Sequence, residues 1–218
     1  MVLPRLYPIV DKATLDARGI SVASFAAELA AAGVGMVQYR DKLGAPQQVL
    51  RGARAVAEAF AGVPCRFVLN DRADLAALLG WGVHVGQGDL SVADARRVLG
   101  DGALIGLSTH NEQQVFRLAA LAQDDNSLPV RTGPDYIAIG PVFRTSTKAD
   151  AEPVVGLEGV QRARALTKLP LVAIGGITLQ NAQSVIEAGA DSVAVIGGLF
   201  VEGRSVGDVV RDFLRVLG

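Results

Sequence analysis

Short apolar runs with strand-like period recur along the chain, and each is followed by a longer stretch in which apolar residues return at helical spacing. Strands are expected at Leu6 to Val10, Met36 to Arg40, Arg66 to Leu69, Gly82 to Val85, Leu104 to Leu107, Tyr136 to Ile139, Leu171 to Ile174 and Ser192 to Ile196. Between them lie Ala-rich helical stretches, among them Val22 to Ala32, Gln47 to Ala61 and Asn181 to Ala188. Eight consecutive βα units with short connections predict an α/β fold of the (β/α)8 TIM-barrel type, with a doubly wound open sheet as the alternative. The least regular segment, Gln123 to Pro134, falls between a helix and the next strand, on the face of a barrel opposite its chemistry.

Half of the 218 residues are apolar, enough to fill one core, so residues 1–218 are read as a single domain. Lys and Arg number 21 against 22 Asp and Glu, and this balance argues against a nucleic acid or an anionic membrane as partner. The N-terminal apolar stretch is broken by Pro4, Arg5, Pro8 and Asp11, and no run reaches the length of a membrane span. A cytoplasmic protein is therefore expected. Cys65 is the single cysteine, so it has no internal disulfide partner, and its place before Phe67-Val68-Leu69 predicts a buried core thiol.

Polar side chains gather at the ends of the strands: Gln38, Arg40 and Lys42 at the second, Asn70 and Asp71 at the third, Gln87 and Asp89 at the fourth, Ser108 at the fifth. In a barrel those ends converge on one mouth. Strand-like alternation puts Gln38, Arg40 and Lys42 on one face. Two cations and an amide there suit a multiply charged anion such as a pyrophosphate, unless Asp41 or another nearby carboxylate neutralises them. Asp71 and Asp89 stand on neighbouring strands, where two carboxylates beside cations call for a hard cation such as Mg²⁺. The alternative for Asp71 is a cap on a helix starting at Arg72.

After the sixth strand, Thr145-Ser146-Thr147-Lys148 offers hydroxyl donors and a cation to a phosphate. Gly175-Gly176 and Gly197-Gly198 follow strands seven and eight, where many barrels hold phosphate on backbone N–H groups. His84, inside Val83-His84-Val85, is expected to be a hydrogen-bonded barrel-lining residue rather than a base. His110 has no obvious partner in the sequence.

Taken together, QYRDK (38–42), NDRADLA (70–76), GVHVGQGDL (82–90), GLSTHN (106–111), DYIAIGPVFRTSTK (135–148), AIGGIT (173–178) and GADSVAVIGG (189–198) resemble the thiamin phosphate synthase family, nearly end to end. The resemblance implies a (β/α)8 transferase that joins hydroxymethylpyrimidine pyrophosphate to thiazole phosphate, giving thiamin phosphate and pyrophosphate. In the family the pyrimidine ester ionises first and the thiazole nitrogen captures the cation, so neither a general base nor a covalent nucleophile is required. Carried over by position, Gln38, Arg40, Lys42, Asn70, Ser108 and Lys148 would hold the pyrimidine pyrophosphate, with Arg40, Lys42, Ser108 and Lys148 assisting departure of the leaving group. Asp71 and Asp89 would hold Mg²⁺, and Thr145, Ser146, Thr147, Gly176, Ile196 and Gly197 the thiazole phosphate. Gly88 replaces the family's usual acidic residue and Gly197 its common serine. A thiazole tautomerase on the same barrel tends to lack the GQ-x-D and T-x-TK elements present here. A non-catalytic precursor sensor would have lost a metal carboxylate or a pyrophosphate cation, and none is missing.

Overall fold

In the computed structural model eight parallel strands close on themselves in chain order: β1 (Leu6–Asp11), β2 (Met36–Arg40), β3 (Arg66–Asn70), β4 (Gly82–Val85), β5 (Ile105–Thr109), β6 (Tyr136–Ile139), β7 (Leu171–Ile174) and β8 (Ser192–Val195). Because β1 pairs with both β2 and β8, the open-sheet alternative is excluded. The structure describes residues 1–124, 133–145 and 153–218. Most of the irregular connection 123–134 and residues 146–152 lie outside that description. Strands β3 and β5 run further than the sequence predicts, so Asn70 and Ser108 belong to strands rather than to the loops after them.

The surrounding helices are α1 (Lys12–Asp16), α2 (Val22–Ala31), α3 (Pro46–Ala59), α4 (Ala73–Leu79), α5 (Val92–Leu99), α6 (Glu112–Asp124), α7 (Gly156–Leu166), α8 (Ala182–Glu187) and α9 (Val206–Leu217). Several start on local chemistry. The hydroxyls of Ser21, Ser91 and Ser205 accept from the backbone N–H three residues on, each cap contributing about 1 kcal/mol. Pro46 at the start of α3 needs no N–H partner. Among the described residues no helix is long and apolar enough to cross a membrane.

Alternation along the strands sorts the side chains into two layers. One parity, including Leu6, Val10, Val37, Tyr39, Leu69, Val83, Ile105, Ile137 and Val193, packs under the helices. The other fills the barrel interior with Tyr7, Ile9, Met36, Val68, Tyr136, Ala138, Val172 and Ala194. The same inward parity carries Gln38, Arg40, Asn70, His84 and Ser108 toward the mouth. At the opposite end Arg96, 1% exposed, donates to the Asp135 carboxylate and to the carbonyls of Asp101, Ala103 and Gly133, which ties α5 to the entry of β6. Cys65 departs from the expected core position. It is half-buried at the edge of the outer layer, because β3 begins only at Arg66, and burial still pushes its thiol up to about 12.

Candidate active site

Both cations at the end of β2 have carboxylate partners, and neither partner is Asp41. Arg40 Nη1 donates to Asp11 Oδ2 through a short contact. Asp11 ends β1, is 3% exposed, and caps α1 by accepting from the backbone N–H (2.9 Å) and hydroxyl (2.6 Å) of Thr14. The Lys42 ammonium stands 3.0 Å from Asp71. Asp41 turns away and accepts from Gly44 N–H at 2.8 Å and the Tyr39 hydroxyl at 3.4 Å. The β2 end of the rim thus carries anchored ion pairs rather than free positive charge. Asp11 has no role in the sequence reading, where it appears only as an interruption of an apolar run.

Asp71 is not a helix cap. Arg72 occupies the N-cap position of α4 without a side-chain bond, while Asp71 adopts a left-handed backbone at φ 64°, a region Asp and Asn enter more readily than most residues. Its backbone N–H donates to the His84 carbonyl at 2.8 Å, which fixes the turn. The carboxyl is pushed above the usual carboxylate range, first by burial and then by the neighbouring Asp89 carboxyl, with Lys42 pulling the other way. Asp89 is held by Gly86 N–H at 2.7 Å. Gly88 between them faces open space, so the missing acidic side chain leaves no packing defect.

Two carboxyls that meet this closely share either a proton or a divalent cation. They fit Mg²⁺, which is commonly bound by one or two carboxylates with the remaining ligands from phosphate oxygens and water. Among the described residues no group of three or more His, Cys, Asp or Glu forms an all-protein cage. A pH prediction follows from the direction of the Asp71 shift. Without metal the folded state holds the Asp71 proton more tightly than the unfolded state, so this group's contribution is favourable in acid and is lost as pH rises through its raised value. A Mg²⁺ ion held by Asp71 and Asp89 would replace that proton. A melting-temperature rise with Mg²⁺ over EDTA is therefore expected at neutral pH, roughly 5–11 °C at a hundredfold excess over Kd, fading as Asp71 becomes protonated. A shift independent of pH would contradict this assignment.

Across the mouth a cleft of about 560 Å³ opens at the ends of β6, β7 and β8. Three arginines line it, Arg18, Arg40 and Arg144, and among the described residues no carboxylate does. Thr145, Gly176, Ile196 and Gly197 border it as expected, while Ser146, Thr147 and Lys148 lie outside the described residues. Gly176 has φ 65°, and a Cβ there would stand 2.5 Å from the Arg144 carbonyl oxygen, so only glycine lets the β7 loop pass the β6 loop. Gly176→Ala is expected to raise the KM for a phosphate bound in this cleft by about tenfold or more, with a smaller change for a ligand held on β2–β4. Equal effects on both ligands would point to global misfolding.

His110 does have a partner: its Nδ1 lies 2.8 Å from the Gly140 carbonyl oxygen, and its ring borders the cleft. The sequence reading misses Arg18, whose guanidinium lies 4.4 Å from the Phe200 ring centroid and which follows α1 in a connection with no strand-end signal. Arg144 stands within the quoted GPVFRTSTK run, but nothing in the local pattern assigns it a role. His84 lines the barrel as expected, with Nε2 2.8 Å from Ser108 Oγ and Nδ1 3.0 Å from the Tyr136 hydroxyl. Gln38 lies inside the barrel as well, donating to the Tyr7 hydroxyl at 3.0 Å. Gln87 Nε2 donates to the Ser108 carbonyl at 2.6 Å, joining the β4 loop to β5.

A family model described as thiamine monophosphate synthase matches residues 6–199. A thiamine-phosphate synthase of Koribacter versatilis (strain Ellin345) is 44% identical over 218 residues, which covers 99% of this chain and 96% of that one. The thiamine-phosphate synthase of Methanoculleus marisnigri is 40% identical over 199 residues, 91% of this chain and 88% of that one. Among solved structures, a thiamine phosphate pyrophosphorylase from Pyrococcus furiosus superposes with a TM-score of 0.79 at 26% identity, over 98% of this chain and 95% of that one.

Proposed function

Since the chain belongs to the thiamine monophosphate synthase family, we infer that it is a transferase that joins hydroxymethylpyrimidine pyrophosphate to thiazole phosphate, releasing pyrophosphate and thiamin phosphate. The observation that carries this reading in the structure is one mouth with two unlike halves. A carboxylate pair flanked by anchored cations stands at β2–β4, and a cleft lined by Arg18 and Arg144, with no carboxylate among the described residues, stands at β6–β8, Arg40 bordering both. A reaction between two phosphorylated partners needs two anion sites, and a single-substrate isomerase needs one. We read residues 1–218 as one domain that carries both halves.

The chemistry asks for a departing pyrophosphate to be stabilised, and groups already fixed in place do this best because they need not reorganise as charge develops. Arg40, held by Asp11, and Lys42, held by Asp71, are two such groups. Asn70 ends β3 and Ser108 is the penultimate residue of β5, both on the inward parity and facing the same ligand. Asp71 and Asp89 would hold Mg²⁺, which when bound neutralises the charge on the leaving group. The C–O bond of the pyrimidine ester breaks with its electron pair going to pyrophosphate, and the thiazole nitrogen lone pair closes on the methylene carbon. Thr145, Gly176, Ile196 and Gly197, together with Ser146, Thr147 and Lys148, are proposed to hold the thiazole phosphate and, through Lys148, the leaving group. No side chain has to abstract a proton.

The experiment mixes the purified chain with both substrates and Mg²⁺ and follows thiamin phosphate as fluorescent thiochrome after oxidation. Product that disappears with EDTA is expected. Absence of product from folded protein that binds either ligand would overturn the transferase reading.

A further inference from the structure

Five side chains from five strands form one hydrogen-bonded row through the barrel interior. Gln38 Nε2 on β2 donates to Tyr7 Oη on β1 at 3.0 Å, and Tyr7 Oη lies 3.0 Å from Tyr136 Oη on β6. Tyr136 Oη lies 3.0 Å from His84 Nδ1 on β4, and His84 Nε2 lies 2.8 Å from Ser108 Oγ on β5. Their neighbours Met36, Val68 and Val172 are apolar and buried. A polar row in such a place costs desolvation unless every link is made, and barrel interiors of this type are otherwise filled by branched apolar side chains. The backbone makes room for it, since a Cβ on Gly106 would stand 2.1 Å from the Tyr136 ring.

The four links need four protons. Tyr7, Tyr136 and a neutral His84 supply one each, so the fourth comes from one end, either the Gln38 amide or the Ser108 hydroxyl. With the Gln38 amide as donor, the direction of every other link is fixed. Tyr7 donates to Tyr136, Tyr136 to His84 Nδ1, and His84 Nε2–H to Ser108 Oγ. The Ser108 proton is then left outside the row.

We propose that this row orders its protons so that Ser108 faces the mouth as a hydrogen-bond donor and Gln38 keeps its carbonyl oxygen as an acceptor, with Tyr7, Tyr136 and His84 as positioning residues. This rests on the substrate assignment above and extends it. An amino-substituted pyrimidine brings N–H donors to the Gln38 oxygen, and an anionic ester oxygen takes the Ser108 proton in a hydrogen bond. A row of opposite polarity would present a donor to the amine and lone pairs to the phosphate, mismatched at both ends.

The chain has two histidines, so side-chain ¹⁵N NMR resolves the His84 imidazole directly, with a His110→Gln variant for assignment. A neutral ring protonated on Nε2 and accepting on Nδ1 is expected at neutral pH; a ring protonated on Nδ1 overturns the proposal. This result does not depend on turnover, so it stands apart from failure of the substrate assignment, which would appear as absence of thiamin phosphate. The second measurement is a double-mutant cycle on kcat/KM for the pyrimidine pyrophosphate. Tyr136→Phe keeps the ring beside Gly106 while removing the two links its hydroxyl makes, to Tyr7 and to His84. Tyr136→Phe and Ser108→Ala are each expected to cost about 10- to 100-fold, and the double variant is expected to be no worse than Ser108→Ala by more than about twofold. Effects that multiply would assign Tyr136 to packing alone and overturn the positioning role.

Discussion

Asp89→Ala is expected to lower kcat/KM by about 100- to 1,000-fold while the protein stays folded, the loss that follows when a preorganised group is removed from developing charge. Asp89 is exposed and meets the Gly86 N–H and the Asp71 carboxyl, both at the mouth, so its removal disturbs no core contact. Asp71 requires a different substitution. Its left-handed backbone disfavours alanine, whereas Asp71→Asn keeps both the shape and the tolerance of that conformation. The Asn variant should lose activity to a similar degree. Without metal at neutral pH its melting temperature should match or exceed that of the parent, because a carboxylate burdened by burial and by Asp89 has been made neutral. Steady-state kinetics with Mg²⁺ and with EDTA, together with thermal melts, separate the two effects. Full activity of either variant in Mg²⁺, or a parent enzyme indifferent to EDTA, would remove the metal assignment.

Asp11→Ala is expected to cost about 3–5 kcal/mol of stability, lowering the melting temperature by roughly 6–20 °C. The substitution leaves Arg40 without its buried partner and strips the cap from α1 at the same time. Asp11→Asn retains a capping side chain and removes only the charge, so it should recover about 1 kcal/mol of that loss. Both variants should also raise the KM for the pyrimidine pyrophosphate, since Arg40 would no longer be held at the mouth. Thermal melts and KM values for the two substrates test this together. An unchanged melting temperature in Asp11→Ala would mean that the pair does not anchor Arg40.

These two predictions draw on different sources. That Asp89 lies at the mouth is legible in the chain, because a carboxylate just beyond a strand end in a βα repeat can only lie there. That Asp11 pairs with Arg40 is not legible, because the two are 29 residues apart and become adjacent only when β1 and β2 pair with Asp11 opposite Arg40. His110 is a similar case: its partner, the Gly140 carbonyl, lies 30 residues on, at the end of the neighbouring strand.

The strand and helix periods, the glycine turns and the identity of the strand-end residues are local properties, so the sequence by itself determined the barrel and most of the residues at its mouth. Period-2 alternation also correctly placed Gln38 and Arg40 on one face. What the tertiary structure decided is which charges cancel, which hydroxyls join into a row, and which loops leave a cleft. Arg40 takes Asp11 and Lys42 takes Asp71, Asp71 turns into a left-handed bend instead of capping α4, and Tyr7, Tyr136 and His84 meet inside the barrel. Each of these depends on strand register and on closure of β8 against β1, and hydrogen bonds and ion pairs change within a few tenths of an ångström, a scale that no one-dimensional pattern encodes.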